Sequence, residues 1–140
     1  MEETALRKHN TYRAKHGAPP VVWNAGVESA AARWVARCVF EHEPDSPYGE
    51  NLFASWGQGL SEPRAAEAAI TAWYNEVGKY DFSNPGFSGE TGHFTAVVWR
   101  ASTAIGCAMK ACGSMTILAC KYSPPGNVLG QFPQNVHPPG

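Results

Sequence analysis

The chain has 140 residues, with 11 Lys and Arg against 12 Asp and Glu, a formal net charge of −1. That balance, with no Lys/Arg-rich window, excludes the basic face of a nucleic-acid binder and a polybasic membrane anchor. At 44% hydrophobic and 16% charged residues the composition is globular, and one domain spanning residues 1–140 is expected. No apolar run approaches the roughly 20 residues a membrane span needs.

Residues 2 to 16 place Ala5, Leu6, His9 and Tyr12 on one stripe of a first helix, which Gly17 and Pro19-Pro20 end. Val21-Val22-Trp23 reads as extended, and Asn24 is a good N-cap for a second helix. There Val27, Ala30, Ala31, Trp34, Val35 and Cys38 form a core-facing stripe. Residues 41 to 61 are rich in Pro, Gly and Ser and read as loop, with one turn of helix around Asn51 to Ala54. Ser61 and Pro63 open a third helix with an apolar stripe of Ala66, Ala69, Ile70, Trp73 and Val77, and Glu76 at its edge. After a Gly/Pro-punctuated loop from Tyr80 to Gly92 come three strand-like runs, Phe94 to Arg100, Ala104 to Lys110 and Met115 to Tyr122. The tail from Ser123 reads as surface coil. Helices followed by an antiparallel meander make an α+β order and argue against a parallel nucleotide-binding sheet.

Four cysteines without a Cys-x-x-Cys pair fit disulfides better than zinc, in any of three pairings. If Cys107 and Cys120 lie on strands joined near Gly113-Ser114, they are equidistant from the turn and face each other, leaving Cys38 with Cys112. The first residues show neither the basic nor the apolar region of an export leader. Met1 is therefore read as opening a mature extracellular domain.

Several motifs can be set aside. Pro44 follows His42-Glu43 and position 46 is not His, so the paired zinc histidines of a zincin are missing; Gly57-Gln58-Gly59 has no third glycine at position 62; Gly86-Phe87-Ser88-Gly89 is not a nucleophile elbow. What remains is polar residues in apolar surroundings: His42, Glu50, Glu76 and His93, the last expected to open a strand and share a face with Thr95 and Val97. Taken singly, each reads as a surface or structural residue.

The segment Gly92-His93-Phe94-Thr95-Ala96-Val97-Val98-Trp99 resembles the first signature of the CAP superfamily, the cysteine-rich secretory, antigen 5 and pathogenesis-related proteins. Cys120-Lys121-Tyr122-Ser123-Pro124-Pro125-Gly126-Asn127 resembles its second signature. Pro47 to Leu52, Ala72 to Glu76 and His9 to Arg13 match further blocks in the right order. The stretch Trp73 to Thr95 most resembles the fungal branch of pathogen-related yeast proteins. The resemblance implies a three-layer α/β/α sandwich around a central antiparallel sheet. It also implies a central cleft lined by His42, Glu50, Glu76 and His93, and the disulfides Cys38–Cys112 and Cys107–Cys120. The chain departs from the family pattern at Glu43, where Ser is common, and at Lys121 and Ser123, which replace Asn and Asp. It also lacks the two further cysteines that the plant branch carries before His93, which should leave that loop freer to move.

Two imidazoles and two carboxylates in one cleft can hold a divalent cation such as Zn²⁺ weakly through His42 and His93, can exchange protons in catalysis, or can tie sheet to helices. The aromatics Tyr80, Phe82 and Phe87 lie in a loop that resembles the sterol-binding loop of the fungal branch, where an aromatic face can cover a flat apolar ring system. The expectation is a secreted, monomeric carrier of sterols and fatty acids that makes no covalent bond to them. Two rivals stand beside it: a metal-dependent hydrolase or protease using the four cleft residues, and a non-catalytic interaction or elicitor module.

Overall fold

The computed structural model describes residues 1–57 and 59–140; Gln58, in the predicted loop from 41 to 61, lies outside the described residues. Helices α1 (Glu2–Lys15), α2 (Ala25–Val35) and α3 (Glu62–Asn75) form close to where periodicity places them, but Cys38 and Val77, expected on the stripes of the second and third helices, lie beyond their ends. The Asn24 side chain accepts the Val27 amide at 3.0 Å, satisfying one of the amides that a helix start leaves without an internal partner. On α1 the buried face is Ala5, His9 and Arg13, while on α3 it is Ala65, Ala66, Ala69, Ile70 and Trp73. A 3₁₀ turn, Glu76–Lys79, follows α3 directly.

Four strands form the sheet: β1 (Val22–Trp23), β2 (Gly49–Trp56), β3 (Ala104–Cys112) and β4 (Met115–Ser123), in the order β1-β3-β4-β2. The pairs β2–β4 and β3–β4 are antiparallel and the short β1 runs parallel to β3, so the sheet is antiparallel apart from one edge. Two predicted elements change type. The run Phe94 to Arg100 is not a strand but contains most of helix α4 (Gly92–Val98), so His93, Thr95 and Val97 do not share a face by alternation. Phe94 to Val98 are all buried, and a short, wholly apolar run carries no period to separate a buried helix from a buried strand. Conversely, the helical turn expected at Asn51 to Ala54 is the middle of β2, whose sheet partner β4 lies more than sixty positions downstream.

The sheet is covered on both faces, which is why β4 is buried from Thr116 to Tyr122. Leu118, Cys120 and Tyr122 point into the larger core with residues of α1, α3 and α4; Ile117 and Ala119 point the other way, onto Ala31, Trp34 and Val35 of α2. This is the expected α/β/α sandwich. Gly106 shows how close α2 comes, since a Cβ there would collide with the Glu28 backbone nitrogen.

Cys107 stands opposite Cys120 across β3 and β4 and is bonded to it, and Cys38, just past α2, is bonded to Cys112. Gly113 opens the two-residue turn between the strands at φ +66°. The Cys38–Cys112 link spans 74 positions, for which chain entropy gives about 4 kcal/mol of stabilisation. The tail departs from surface coil: it forms a short helix, α5 (Phe132–Asn135), and buries Phe132 against Trp99, ring centroids 5.0 Å apart.

Candidate functional site

The four singled-out polar residues come together as two His–Glu pairs. Glu76 is delivered by the turn after α3, and His93 by the start of α4. One oxygen of Glu76 accepts the backbone N–H groups of His93 and Phe94, both at 3.0 Å, and the other accepts His93 Nδ1–H at 2.8 Å. Glu76 thus supplies the acceptor that the first amides of α4 need, in place of Thr91, whose own side chain makes no capping bond. The His93 ring lies parallel to Trp73, centroids 6.1 Å apart and 9° between planes, and Trp73 donates its indole N–H to Leu52 O of β2 at 3.1 Å.

Glu50 comes from β2 and His42 from the loop that precedes it. Glu50 Oε1 accepts His42 Nδ1–H at 2.9 Å and the Glu43 amide at 3.2 Å. Its Oε2 faces Lys121 Nζ at 3.1 Å, an ion pair without hydrogen-bond alignment. Lys121 is wholly buried on β4 and donates to Glu43 Oε1 at 2.5 Å and to Ser46 Oγ at 3.2 Å. Two departures from the family pattern, Glu43 and Lys121, therefore answer each other: a buried ammonium needs a carboxylate, and here it has two.

The hydrogen bond to Glu50 lifts His42 above the ordinary imidazole value, against burial and the Lys121 charge. Burial pushes Glu50 up, but the His42 hydrogen bond, Lys121 and the Glu43 amide outweigh it and hold the carboxyl below its usual range. Since a carboxylate only accepts, each ring donates through Nδ1, which leaves Nε2 as the lone-pair nitrogen of the neutral form. His42, Glu50 and His93 line a cleft of about 250 Å³ with Asn51, Phe87, Gly89, Gly92 and Asn127. Glu76 stands behind His93 rather than on the cleft wall. Two imidazole nitrogens backed by carboxylates suit a weakly held divalent cation, and no group of three or more His, Cys, Asp or Glu that could hold one exists among the described residues.

Three supporting residues escaped the sequence reading. Asn51 donates to His93 O at 3.0 Å and to the Tyr122 hydroxyl at 3.1 Å; Tyr122 in turn lies 2.8 Å from Nε2 of the buried His9. Asn127 donates to Gly92 O at 2.9 Å. Arg13, buried on α1, donates to the carbonyls of Pro19, Val97, Trp99 and Ser102 and so fixes the far end of α4. Apart from Arg13 to Pro19, each contact joins residues far apart in the chain, so only the family blocks containing Arg13, Asn51 and Asn127 hinted at them.

The loop aromatics divide. Tyr80 is 8% exposed and packs edge-on to Phe82 at 4.9 Å, and Phe82 meets Phe94 and His16. Phe87 is 56% exposed, lies over the start of α4 beside Gly92, and borders both the cleft and a second cavity of about 350 Å³ under the loop. The stacking surface open to solvent is therefore Phe87.

Known proteins share this fold. Residues 6–122 match the model of the CAP cysteine-rich secretory protein family. Protein PRY2 of Saccharomyces cerevisiae is 36% identical over 95% of this chain and 40% of its own length, and fruiting body protein SC14 of Schizophyllum commune is 36% identical over 95% and 67%. The chain thus spans from two-fifths to two-thirds of these relatives. A crystal structure of NaASP2 with Zn²⁺ superposes with a TM-score of 0.85 at 27% identity, covering 99% of this chain and 85% of that one. BmVAL-1 gives 0.84 at 24% identity, covering 99% and 82%. With the sandwich and both signature segments in place, the chain belongs to the CAP, or cysteine-rich secretory, protein family.

Proposed function

We propose that residues 1–140 form one extracellular, monomeric domain that carries sterols or related lipids, taking them up at the loop from Tyr80 to Phe87. The observation that carries this reading is Phe87: a large aromatic, 56% exposed, beside a cavity of about 350 Å³, in a loop broken by Pro85, Gly86 and Gly89. An aromatic face of this kind gains by covering a flat apolar ring system, since stacking removes both surfaces from water. The two disulfides suit an oxidising compartment. Phe87→Ala is expected to weaken binding of radiolabelled cholesterol at least tenfold while leaving the melting temperature within about 2 °C, because little of the ring is packed. Unchanged affinity would overturn the loop assignment.

We further propose that the adjoining cleft holds a divalent cation, Zn²⁺ for instance, through Nε2 of His42 and His93. Both rings line the cleft in the tautomer a metal requires, each oriented by a carboxylate, and the related NaASP2 was crystallised with Zn²⁺. When bound, the ion would act as a Lewis acid or as an anchor for an oxygen ligand. Two protein ligands predict weak binding, and calorimetric titration with zinc chloride should show it lost in the His42→Ala, His93→Ala double variant. Equal affinity in both proteins would end the metal reading.

A further inference from the structure

Buried polar atoms without partners are rare, and among the described residues two of the three such side-chain atoms are hydroxyls of residues that line the loop cavity: Tyr80 Oη and Thr91 Oγ1. The residues are 8% and 3% exposed and bracket the loop at its two ends. The Gly86 amide lies by the Tyr80 oxygen and pulls its pKa down against the larger upward push of burial, yet the pair misses hydrogen-bond geometry. Thr91 occupies the N-cap position of α4, where a threonine hydroxyl ordinarily accepts a helix amide; Glu76 has taken that task and left the hydroxyl idle. Each orphaned hydroxyl is a desolvation cost to the closed loop, and a partner reaching into the cavity can return it.

Resting on the lipid reading above, we infer that Tyr80 and Thr91 form the polar end of the loop site and recognise a neutral oxygen function on the lipid, a hydroxyl or an ester carbonyl. Hydroxyls donate and accept, so they can serve either group. Both lie sealed under the loop, so the lipid's polar end must displace loop backbone to reach them, and Pro85, Gly86 and Gly89 supply a segment with little side-chain packing to lose. The charged residues at the rim, Lys79 and Asp81, are one of each sign. A carboxylate or phosphate head therefore finds no net positive field, which favours a neutral sterol over an ionised fatty acid. Phe87 then covers the ring system while the hydroxyl pair fixes which end enters.

The test uses bound radiolabelled cholesterol competed by unlabelled cholesterol, cholesteryl acetate, palmitate or the oxygen-free hydrocarbon cholestane. For the wild-type chain, cholesterol and cholesteryl acetate are expected to compete at least tenfold better than cholestane or palmitate, and their relative strength tells hydroxyl from carbonyl. The Tyr80→Phe, Thr91→Val double variant should lose tenfold or more in cholesterol affinity, bring it level with cholestane, and melt no lower than wild type. Ordinary structural hydroxyls would lower the melting point instead. Should the double variant be poorly soluble, Thr91→Val alone serves, with a smaller loss expected. Cholestane competing as well as cholesterol, or a variant that binds cholesterol unchanged, overturns the hydroxyl pair while leaving the lipid carrier standing; a wild-type chain that binds no sterol at all removes both.

Discussion

The cleft and the loop stand side by side, share the Phe87 ring, and are built on opposite plans. In the cleft both carboxylates are engaged: Glu76 takes two amides and a ring nitrogen, Glu50 takes a ring nitrogen, an amide and an ammonium. Behind it, a relay from His93 O through Asn51 and Tyr122 to His9 carries the hydrogen bonding into the core. In the loop two hydroxyls have no partner, one large aromatic faces water, and the backbone between Asp81 and Thr91 belongs to no helix or strand. On the function proposed above, the difference separates two tasks. Rings and carboxylates that must present lone pairs in fixed directions need a scaffold that does not move, whereas a surface that must admit a bulky apolar ligand needs polar and apolar groups left unspent.

The strongest way to test the rigid half is through Arg13, which never touches the cleft. Its guanidinium, buried on α1, serves four carbonyls, two of them at the end of α4, and burial lowers its pKa to about 10. Arg13→Leu leaves those carbonyls without donors, and about 3–5 kcal/mol of stability should be lost in urea unfolding. A loss under about 1 kcal/mol would show that α4, and with it His93, is held by other contacts.

Arg13 also marks what could be read in advance. The three long helices, the β3–β4 hairpin and both disulfides follow from local signals: an apolar stripe, an Asn cap, a Gly-Ser turn equidistant from two cysteines. The four cleft residues stand out singly as polar residues in apolar surroundings, but that they share one cleft followed only from the family resemblance, not from spacing. Local signals failed where one stretch depends on another. Phe94 to Val98 becomes helix because Glu76, from the preceding element, caps it and Arg13 donates to the carbonyls of Val97 and Trp99 at its end, and nothing within the run says so. Residues 49–56 become strand because β4 lies beside them. The buried role of Lys121 needed Glu43, which is 78 positions away.

A second, smaller effect runs through His9 at the end of the relay. Burial takes its pKa from 6.5 down to about 4. The unfolded chain then takes up the proton first as the solution is acidified, so the stabilisation is complete above pH 6.5 and is lost as pH falls toward 4. The full depression corresponds to about 3 kcal/mol. In urea unfolding at pH 7 and pH 4.5, the stability gap between wild type and His9→Gln should narrow by about 2–3 kcal/mol. A gap independent of pH would show that the relay tolerates a charged ring, and would erase the contrast between a fixed cleft and an adaptable loop at its deepest point.

The finest test lies inside the loop, where the comparison predicts a boundary between two phenylalanines five positions apart. Phe82 packs against Tyr80, Phe94 and His16, whereas Phe87 is mostly in water and touches the start of α4 beside Gly92. Removing a half-buried ring should cost part of the 3–5 kcal/mol of a full core deletion, so Phe82→Ala is expected to destabilise the chain by about 1–2 kcal/mol. Phe87→Ala should stay within about 0.5 kcal/mol. Their binding effects should run the other way, with Phe87 the larger, because surface left exposed in the free protein is the surface a ligand can still cover. Equal stability losses would mean that Phe87 anchors the loop as Phe82 does, and the flexible half of the site would then begin only at the Tyr80 and Thr91 hydroxyls.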